Sequence, residues 1–308
     1  MTAWTHVTVS VADLDEALDL WSGHFGLEIV ARRDGDDADL ARYWSLAPQE
    51  IHRQALLATP QASTGMIHLV EFDQPDSAVR DGAEVFDLCP KNLDIYVRDM
   101  PVRIDELKQA GMTFRNETFS EVTAPDGTRF REIHLPAHDA INIVLLEVLG
   151  KEMAFTPQGY AGVGPVITIV DDALSERAFY ANVMGLDVLN DNILDGPEIE
   201  AMIGLPKGAA LDVSIWGGEG ESLGQVEVID YRGIEGKDLF PLATPKHRGI
   251  LQITYKTRDL QGFTESLDAA GHHWTEVGRF DLMPGAGRYI RLQSPAGLVI
   301  DVFQPGSD

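Results

Sequence analysis

The stretch HVTVSVADLDEALDLWSGHFGLEIV, residues 6–30, shows the pattern that organises the whole chain. Apolar and polar residues alternate up to Val11, which predicts a β-strand, and from Leu14 the apolar residues recur at helical spacing until Gly26. Glycine ends a helix readily because it adopts a positive φ at little steric cost. The stretch therefore predicts a strand, a short helix and a return to extended chain.

The same pattern occurs at four places, which indicates an internal repeat. The other copies begin at Asn92, Pro165 and Gln252. After each helix the alternation returns to period two, as in ALDVSIWG and GQVEVIDY of the third copy. Each copy is predicted to form a βαβββ module. The four modules are expected at about residues 6–73, 91–148, 164–231 and 249–304.

Two domains are expected from the order of the modules along the chain. A length of 308 residues suits two domains of about 150 residues each. The stretch KEMAFTPQGYAGVG that follows Gly150 has the proline and glycine content of a linker. We therefore expect an N-terminal domain over residues 1–150 and a C-terminal domain over residues 151–308, each built from two consecutive modules.

Composition narrows the class of partner. Acidic residues outnumber basic ones by 49 to 24, and the formal net charge of −25 disfavours binding to nucleic acid and to anionic membranes. No apolar run reaches the length of a membrane span, and residues 1–11 are not expected to act as a secretory signal. One cysteine, Cys89, excludes an intrachain disulfide. We expect a cytoplasmic protein, monomeric or homodimeric, that binds a small organic molecule.

The chain resembles the vicinal oxygen chelate superfamily, which includes glyoxalases, extradiol dioxygenases and bleomycin-resistance proteins. The resemblance covers nearly the whole chain and is carried by residues 6–30, by GPVITIVDDALSERAFYANVMGLDVL at 164–189 and by RYIRLQSPAGLVIDVFQP at 288–305. It implies an α+β fold in which the four modules pair into two cup-shaped domains. It also implies that a metal, when present, is held by one residue from the first strand and one from the last strand of each module.

The family pattern assigns residues to these ligand slots, and alternation along a strand explains how a slot residue can point into a cup. The first-strand slots hold His6, Asn92, Pro165 and Gln252. The last-strand slots hold His68, Glu227 and Asp301, and in the second module either Asn142 or Val144. The family pattern is therefore incomplete in both expected domains.

Two alternative metal sites follow from the slots. His6 and His68 offer nitrogen ligands suited to zinc, iron or nickel. Glu227, Gln252 and Asp301 offer oxygen ligands suited to magnesium or manganese. Without a metal, the two histidines are expected to bind substrate or move a proton. The two carboxylates are then expected to act as a general base, or else to pair with nearby arginines.

Other side chains are candidates for substrate contact, and the hydrophobic core is the alternative place for the aromatic ones. These candidates are Asn92, Tyr96, Trp44 and Trp216. His134, in the strand REIHLP, could reach the cup of the expected N-terminal domain, although an exposed strand face is the more common position for such a residue. No phosphate-binding glycine loop is present, so no nucleotide cofactor is expected.

The slot residues also discriminate between reactions known in the family. An extradiol dioxygenase needs two histidines and a carboxylate at the positions of Pro165, Gln252 and Asp301, so iron-dependent ring cleavage is not expected there. The predicted function is a glyoxalase-like isomerase or lyase. It acts by metal-assisted, or carboxylate- or histidine-assisted, proton transfer or bond cleavage next to an oxygen function of a small organic substrate, aromatic or not. The alternative is a metal-free protein that sequesters a small molecule, as bleomycin-resistance proteins do.

Overall fold

The computed structural model describes residues 1–124 and 127–306. The strands form two curled sheets of eight strands each, with few helices, which confirms the predicted α+β fold of four βαβββ modules. No helix in the described part of the chain has both the length and the apolar character needed to cross a membrane.

The elements follow the repeat. Module one contains β1 (Trp4–Val11), α1 (Leu14–Leu18), β2 (Glu28–Asp34), α2 (Ala38–Tyr43), β3 (Ile51–Ala58) and β4 (Met66–Phe72). Module two contains β5 (Cys89–Val97), α3 (Met100–Gln109), β6 (Ser120–Thr123), β7 (Arg129–Pro136) and β8 (Asn142–Val148). Module three contains β9 (Tyr160–Val170), α4 (Ala173–Ala178), β10 (Asp187–Leu194), α5 (Pro197–Ile203), β11 (Ala210–Gly217) and β12 (Gln225–Arg232). Module four contains β13 (Gly249–Lys256), α6 (Leu260–Ala269), β14 (Trp274–Leu282), β15 (Gly285–Gln293) and β16 (Val299–Pro305).

Short helical turns complete the modules. Helices α1 and α4 each continue into a π-helical turn, and these turns are Asp19–His24 and Phe179–Val183. Single 3₁₀ turns lie at Pro48–Glu50, His138–Ala140 and Phe240–Leu242.

An aspartate begins the first helix in three of the modules. The carboxylates of Asp13, Asp172 and Asp259 accept hydrogen bonds from backbone N–H groups in the first turns of α1, α4 and α6. These N–H groups have no partner inside the helix, so the caps stabilise helices that are otherwise too short to be stable. In module one, Gly26 then takes a φ of +75° and ends the helical segment.

Alternation divides each strand between the main core and the inside of a cup. In β1, Val7, Val9 and Val11 are fully buried in one continuous hydrophobic core that draws on both sheets and on the helices. His6 and Thr8 lie on the other face of the strand, where they are also buried. The polar face of β1 therefore lines the inside of a cup, as the sequence predicts.

The modules pair in a different order from the expected domain division. Strand β1 pairs antiparallel with β13, so modules one and four share one sheet. Strand β5 pairs antiparallel with β9, so modules two and three share the other. Residues 160–164, expected within a linker, already belong to β9. The division near Gly150 therefore separates modules one and two from modules three and four, and each half holds half of each eight-stranded sheet.

This pairing predicts how the two halves of the chain behave when separated. A fragment of residues 1–150 exposes β1 and β5 as unpaired apolar edges, so we expect it to aggregate or to lack cooperative unfolding. Coexpression with residues 151–308 supplies β13 and β9, and we expect a 1:1 complex with the circular dichroism of the intact chain. Size-exclusion chromatography and thermal unfolding check this. A fragment 1–150 that unfolds cooperatively as a monomer contradicts the observed pairing.

Candidate functional site

Strand pairing identifies the residue in the last-strand slot of each module. In three modules this residue pairs with the position two after the first-strand slot, and the three residues are His68, Glu227 and Asp301. In module two that position is Asp94, which pairs with Val144. Val144 therefore fills the slot, and Asn142 lies beside Asn92.

The last hairpins of modules two and four show how the two sequences correspond. Pro136 pairs with Asn142, and Gln293 pairs with Val299 in the same way. Pro136 therefore corresponds to Gln293 and not to Pro295. An alignment that matches the two prolines is displaced by two residues, which is why it points to Asn142.

The pairing of modules also regroups the slot residues. The cup of modules one and four holds His6, His68, Gln252 and Asp301. The cup of modules two and three holds Asn92, Val144, Pro165 and Glu227. Each expected metal site is thereby corrected, because Glu227 lies in a different sheet from Gln252 and Asp301, and the two histidines join the latter pair.

The cup of modules one and four, called the filled cup below, is occupied by the chain's own side chains. Tyr43 and Trp44, at the end of α2, belong to an aromatic and aliphatic cluster that includes residues from β4, β14 and β16. The Tyr43 ring stands edge-on to that of Tyr289, with centroids 5.6 Å apart. Trp44 donates from Nε1 to the Gln252 amide oxygen at 3.3 Å. The aromatic side chains thus take the place of a ligand.

Asp301 lies at the bottom of the filled cup and is fully buried. Arg291 donates from Nε to Oδ1 at 2.8 Å and from Nη2 to Oδ2 at 3.0 Å, and its guanidinium lies 4.9 Å from the Tyr43 ring centre. The Tyr43 hydroxyl and the Gln252 amide also donate to Asp301. Burial raises the pKa of Asp301, and the bidentate guanidinium opposes this by stabilising the carboxylate.

The two histidines of the filled cup stand edge to face, with ring centroids 6.0 Å apart. The Thr5 hydroxyl donates to the Thr254 carbonyl at 2.9 Å, so it accepts from Nδ1 of His6 at 3.0 Å. His68 Nε2 donates to the Gln54 side-chain oxygen at 2.9 Å. Burial lowers the pKa of His6, and it lowers the pKa of His68 to about 3. Both imidazoles are therefore neutral at pH 7.

The donor sets of the two cups do not fit a divalent metal. In the filled cup, Arg291 already supplies positive charge to Asp301, and both Asp301 oxygens and the Gln252 amide oxygen accept hydrogen bonds from the chain's own side chains. In the other cup, Val144 and Pro165 fill slots with side chains that cannot ligate. Within residues 1–124 and 127–306, no three His, Cys, Asp or Glu side chains are arranged to hold a metal ion.

The cup of modules two and three, called the open cup below, contains a cavity of about 380 Å³. Helix α5 stands here in the place that α2 takes in the filled cup. A residue with positive φ follows each helix: Ser45, two residues after the last residue of α2, has a φ of +59°, and Gly204, directly after α5, has a φ of +84°. Met202 and Ile203, which precede Gly204, therefore correspond to Tyr43 and Trp44, and they line the cavity. Flexible and smaller side chains at these two positions leave the cup open.

Three carboxylates face the cavity of the open cup: Asp94, Glu132 and Glu227. Only 5% of Asp94 is exposed, and its Oδ1 atom has no hydrogen-bond partner. Burial, followed by the charges of Glu227 and Glu132, raises the pKa of Asp94 well above its usual range. Burial and the charge of Glu132 raise the pKa of Glu227 to about 8. At neutral pH the site therefore holds carboxyl groups that can both accept and release a proton.

Polar partners surround these carboxylates. Lys91 is buried, and its ammonium donates to the Tyr231 hydroxyl at 3.1 Å; burial lowers the pKa of Lys91 to about 7. Nε2 of His134 lies 2.9 Å from Oε1 of Glu132, and Nδ1 accepts from the Asn142 amide at 3.0 Å. Because burial lowers the pKa of His134, its ring is neutral and donates a hydrogen bond to Glu132.

The residues predicted to contact substrate separate into three places. Asn92 and Tyr96 line the cavity of the open cup. Trp44 lies in the filled cup. Trp216 is in the main core, where it stacks on Tyr180 with ring centroids 6.3 Å apart, so its predicted role in a pocket is wrong.

Sequence reasoning missed four residues in and around the open cup, Asp94, Lys91, Glu132 and Tyr231, whereas it named His134 as a residue that could reach a cup. His134 is only 1% exposed, so the exposed strand face is not its position. A signal for Asp94 exists, because alternation from Asn92 to Tyr96 places it on the same face of β5. A carboxylate between two aliphatic residues of a strand, here Leu93 and Ile95, is such a signal.

The pairing of Asp301 with Arg291 predicts that removal of the arginine strongly destabilises the folded protein. Arg291→Met leaves a buried carboxylate without its cation, and we expect a loss of about 3–5 kcal/mol in the free energy of unfolding. The double variant with Asp301→Leu removes the stranded charge and should recover part of that loss. Urea unfolding measures both. The control is Arg288→Met on the same strand, whose partner Glu276 is half exposed; its effect should stay within about 1 kcal/mol. Equal losses in the two single variants contradict the account.

No family model matches the chain, and no curated protein sequence matches it. Solved structures do. Glyoxalase I from Zea mays is 16% identical, with 99% of this chain and 92% of that chain covered and a TM-score of 0.66. A protein from Bacillus subtilis proposed to be a dioxygenase is 12% identical, with 99% and 86% covered and a TM-score of 0.64. With the four βαβββ modules and the two cups, these likenesses show that the chain has the fold of the vicinal oxygen chelate superfamily.

Proposed function

We propose that the chain is a metal-independent acid–base enzyme of the isomerase or lyase class, and that it acts in the open cup on a small organic substrate. One observation carries the proposal. Glu227 faces the cavity, and burial together with the charge of Glu132 raises its pKa to about 8, which suits a general base. The shared fold with glyoxalase I of Zea mays supports this class of reaction.

The chemistry follows from the position of Glu227. Its carboxylate removes a proton from a carbon next to a substrate carbonyl, so that a C–H bond breaks and an O–H bond forms on Glu227. The electron pair moves into the carbonyl, whose oxygen gains negative charge. Return of the proton to a neighbouring atom gives an isomerase, and loss of a leaving group gives a lyase.

Tyr231 is the donor best placed to stabilise that oxygen. It follows Glu227 on the same face of β12, and both residues line the cavity. Lys91 donates to the Tyr231 oxygen, so the phenol proton remains available for a substrate oxygen. The hydrogen bond that the phenol oxygen accepts makes Tyr231 a stronger donor, and the Lys91 nitrogen can donate this bond in its charged and in its neutral form. Tyr231 and Lys91 thus provide the charge stabilisation that a metal provides in other chemistry of this kind.

Substitution of Glu227 tests the proposal. The probes are 2-hydroxyacetophenone and 2-aminoacetophenone in D₂O with a chelator, and proton NMR follows exchange at C2. We expect the wild-type protein to accelerate exchange of one of these protons, and Glu227→Gln to lower the rate by about 10²-fold or more. Glu276→Gln is the control, since Glu276 is exposed and remote from the cavity. Equal rates in the wild-type and Glu227→Gln proteins count against the proposal.

The pH dependence gives a second test. Glu227 acts only when deprotonated, so kcat/KM should rise about tenfold per pH unit below its pKa and level off above it, with a midpoint near pH 8. Glu132→Gln keeps an acceptor for His134 but removes a charge that raises the pKa of Glu227. The midpoint should therefore move to lower pH in this variant. A midpoint that stays in place, or moves upward, contradicts the assignment of Glu227 as the base.

Sequestration without turnover is the second candidate. It is favoured by the apolar walls of the cavity and by the way α5 is fixed over it, where Arg115 and Asn116 donate to the carbonyls of Ile203 and Met202 at 2.9 and 3.2 Å. A preformed apolar cavity of this kind can bind a small molecule without chemistry. Saturable binding of the two ketones, with no exchange at any pH, selects this candidate.

A further inference from the structure

We propose that the molecule bound in the open cup carries a positively charged amine on an apolar, aromatic body. This inference deepens the proposed function and rests on the same cavity. It begins from Asp94, whose carboxylate lines the cavity while one of its oxygens has no partner. A buried acceptor without a partner is costly, by about 1–3 kcal/mol, so a donor on the bound molecule is the natural complement.

The surrounding charges favour a cationic donor. Asp94, Glu132 and Glu227 face one cavity. These three carboxyl groups outnumber the two lysines beside them: Lys91, whose ammonium donates to Tyr231, and Lys151 of the lining, whose ammonium lies 5.0 Å from the Tyr96 ring centre. His134 is neutral and already bound to Glu132. The cavity is therefore negative when its carboxyl groups ionise, and a bound cation relieves their mutual repulsion.

The walls define the rest of the molecule. Aromatic and aliphatic side chains make up most of the lining, among them Phe130, Tyr96, Ile167 and Met202. A cavity of about 380 Å³ is larger than an isolated ion needs and can take a bicyclic aromatic group. The absence of a three-ligand cluster in the described residues argues against a metal ion as the cation. An aryl-alkyl ammonium satisfies both the carboxylates and the apolar walls.

The probes are three compounds of similar size: 1-naphthylmethylamine, the neutral 1-naphthalenemethanol and the anionic 1-naphthoate. Isothermal titration calorimetry on the intact chain should give a Kd for the amine at least about tenfold lower than for the alcohol, and weakest binding for the acid. Because the cation lowers the pKa of the carboxyl groups, binding should release protons. The observed enthalpy should then depend on the ionisation enthalpy of the buffer.

Two variants locate the charge. Asp94→Asn should remove the preference for the amine over the alcohol and leave the affinity for the alcohol within about threefold, whereas Glu276→Gln should change neither. If Asp94→Asn does not fold, the comparison of the three probes on the wild-type protein decides alone. Equal affinity for amine and alcohol, tighter binding of the acid, or an unchanged preference in a folded Asp94→Asn protein overturns the inference.

The binding experiment and the proton-exchange experiment can fail independently of each other. A preference for the amine without any proton exchange rejects the enzyme and keeps the amine. Exchange of 2-hydroxyacetophenone protons without a preference for the amine keeps the enzyme and rejects the amine.

Discussion

The antiparallel pairing of first strands is the interaction on which the rest of the structure depends. In one sheet, Val7 of β1 lies opposite Ile253 of β13, and in the other, Leu93 of β5 lies opposite Val166 of β9. All four side chains are fully buried in the shared core. This pairing decides which modules face each other, and so it decides which slot residues can meet. Each cup therefore forms between two modules. Modules one and four are distant in the chain, whereas modules two and three are consecutive.

The two cups differ in their interiors, although each is formed by two βαβββ modules. At the end of α2, Tyr43 and Trp44 fill one cup, and at the matching end of α5, Met202 and Ile203 leave the other open. A second difference lies on the next-to-last strand of each sheet half. Arg291 pairs across the strands with Asp301, and at the corresponding place His134 pairs with Val144. The filled cup therefore contains a buried carboxylate paired with an arginine, whereas the carboxylates of the open cup have no arginine partner among the described residues.

Sequence reasoning recovers the modules because each one repeats a local signal. The alternation that puts Val7 in the core and His6 in a cup is a property of one strand. Pairing between modules has no such local signal, since each first strand offers a similar apolar face to any partner. The packing inside the filled cup cannot be predicted for the same reason, because nothing near Asp301 in the sequence indicates that Tyr43 contacts it. The register of Val144 depends on the hairpin of β7 and β8, in which Pro136 corresponds to Gln293 and not to Pro295.

The central claim is that the open cup is the binding site and that neither cup needs a metal. A crystal structure of the protein soaked with 1-naphthylmethylamine and Mn²⁺, recorded near the manganese absorption edge, tests it most directly. The account predicts electron density for the amine beside Asp94 and no anomalous peak in either cup. An anomalous peak bounded by His6, His68 and Asp301, with Arg291 displaced, contradicts it.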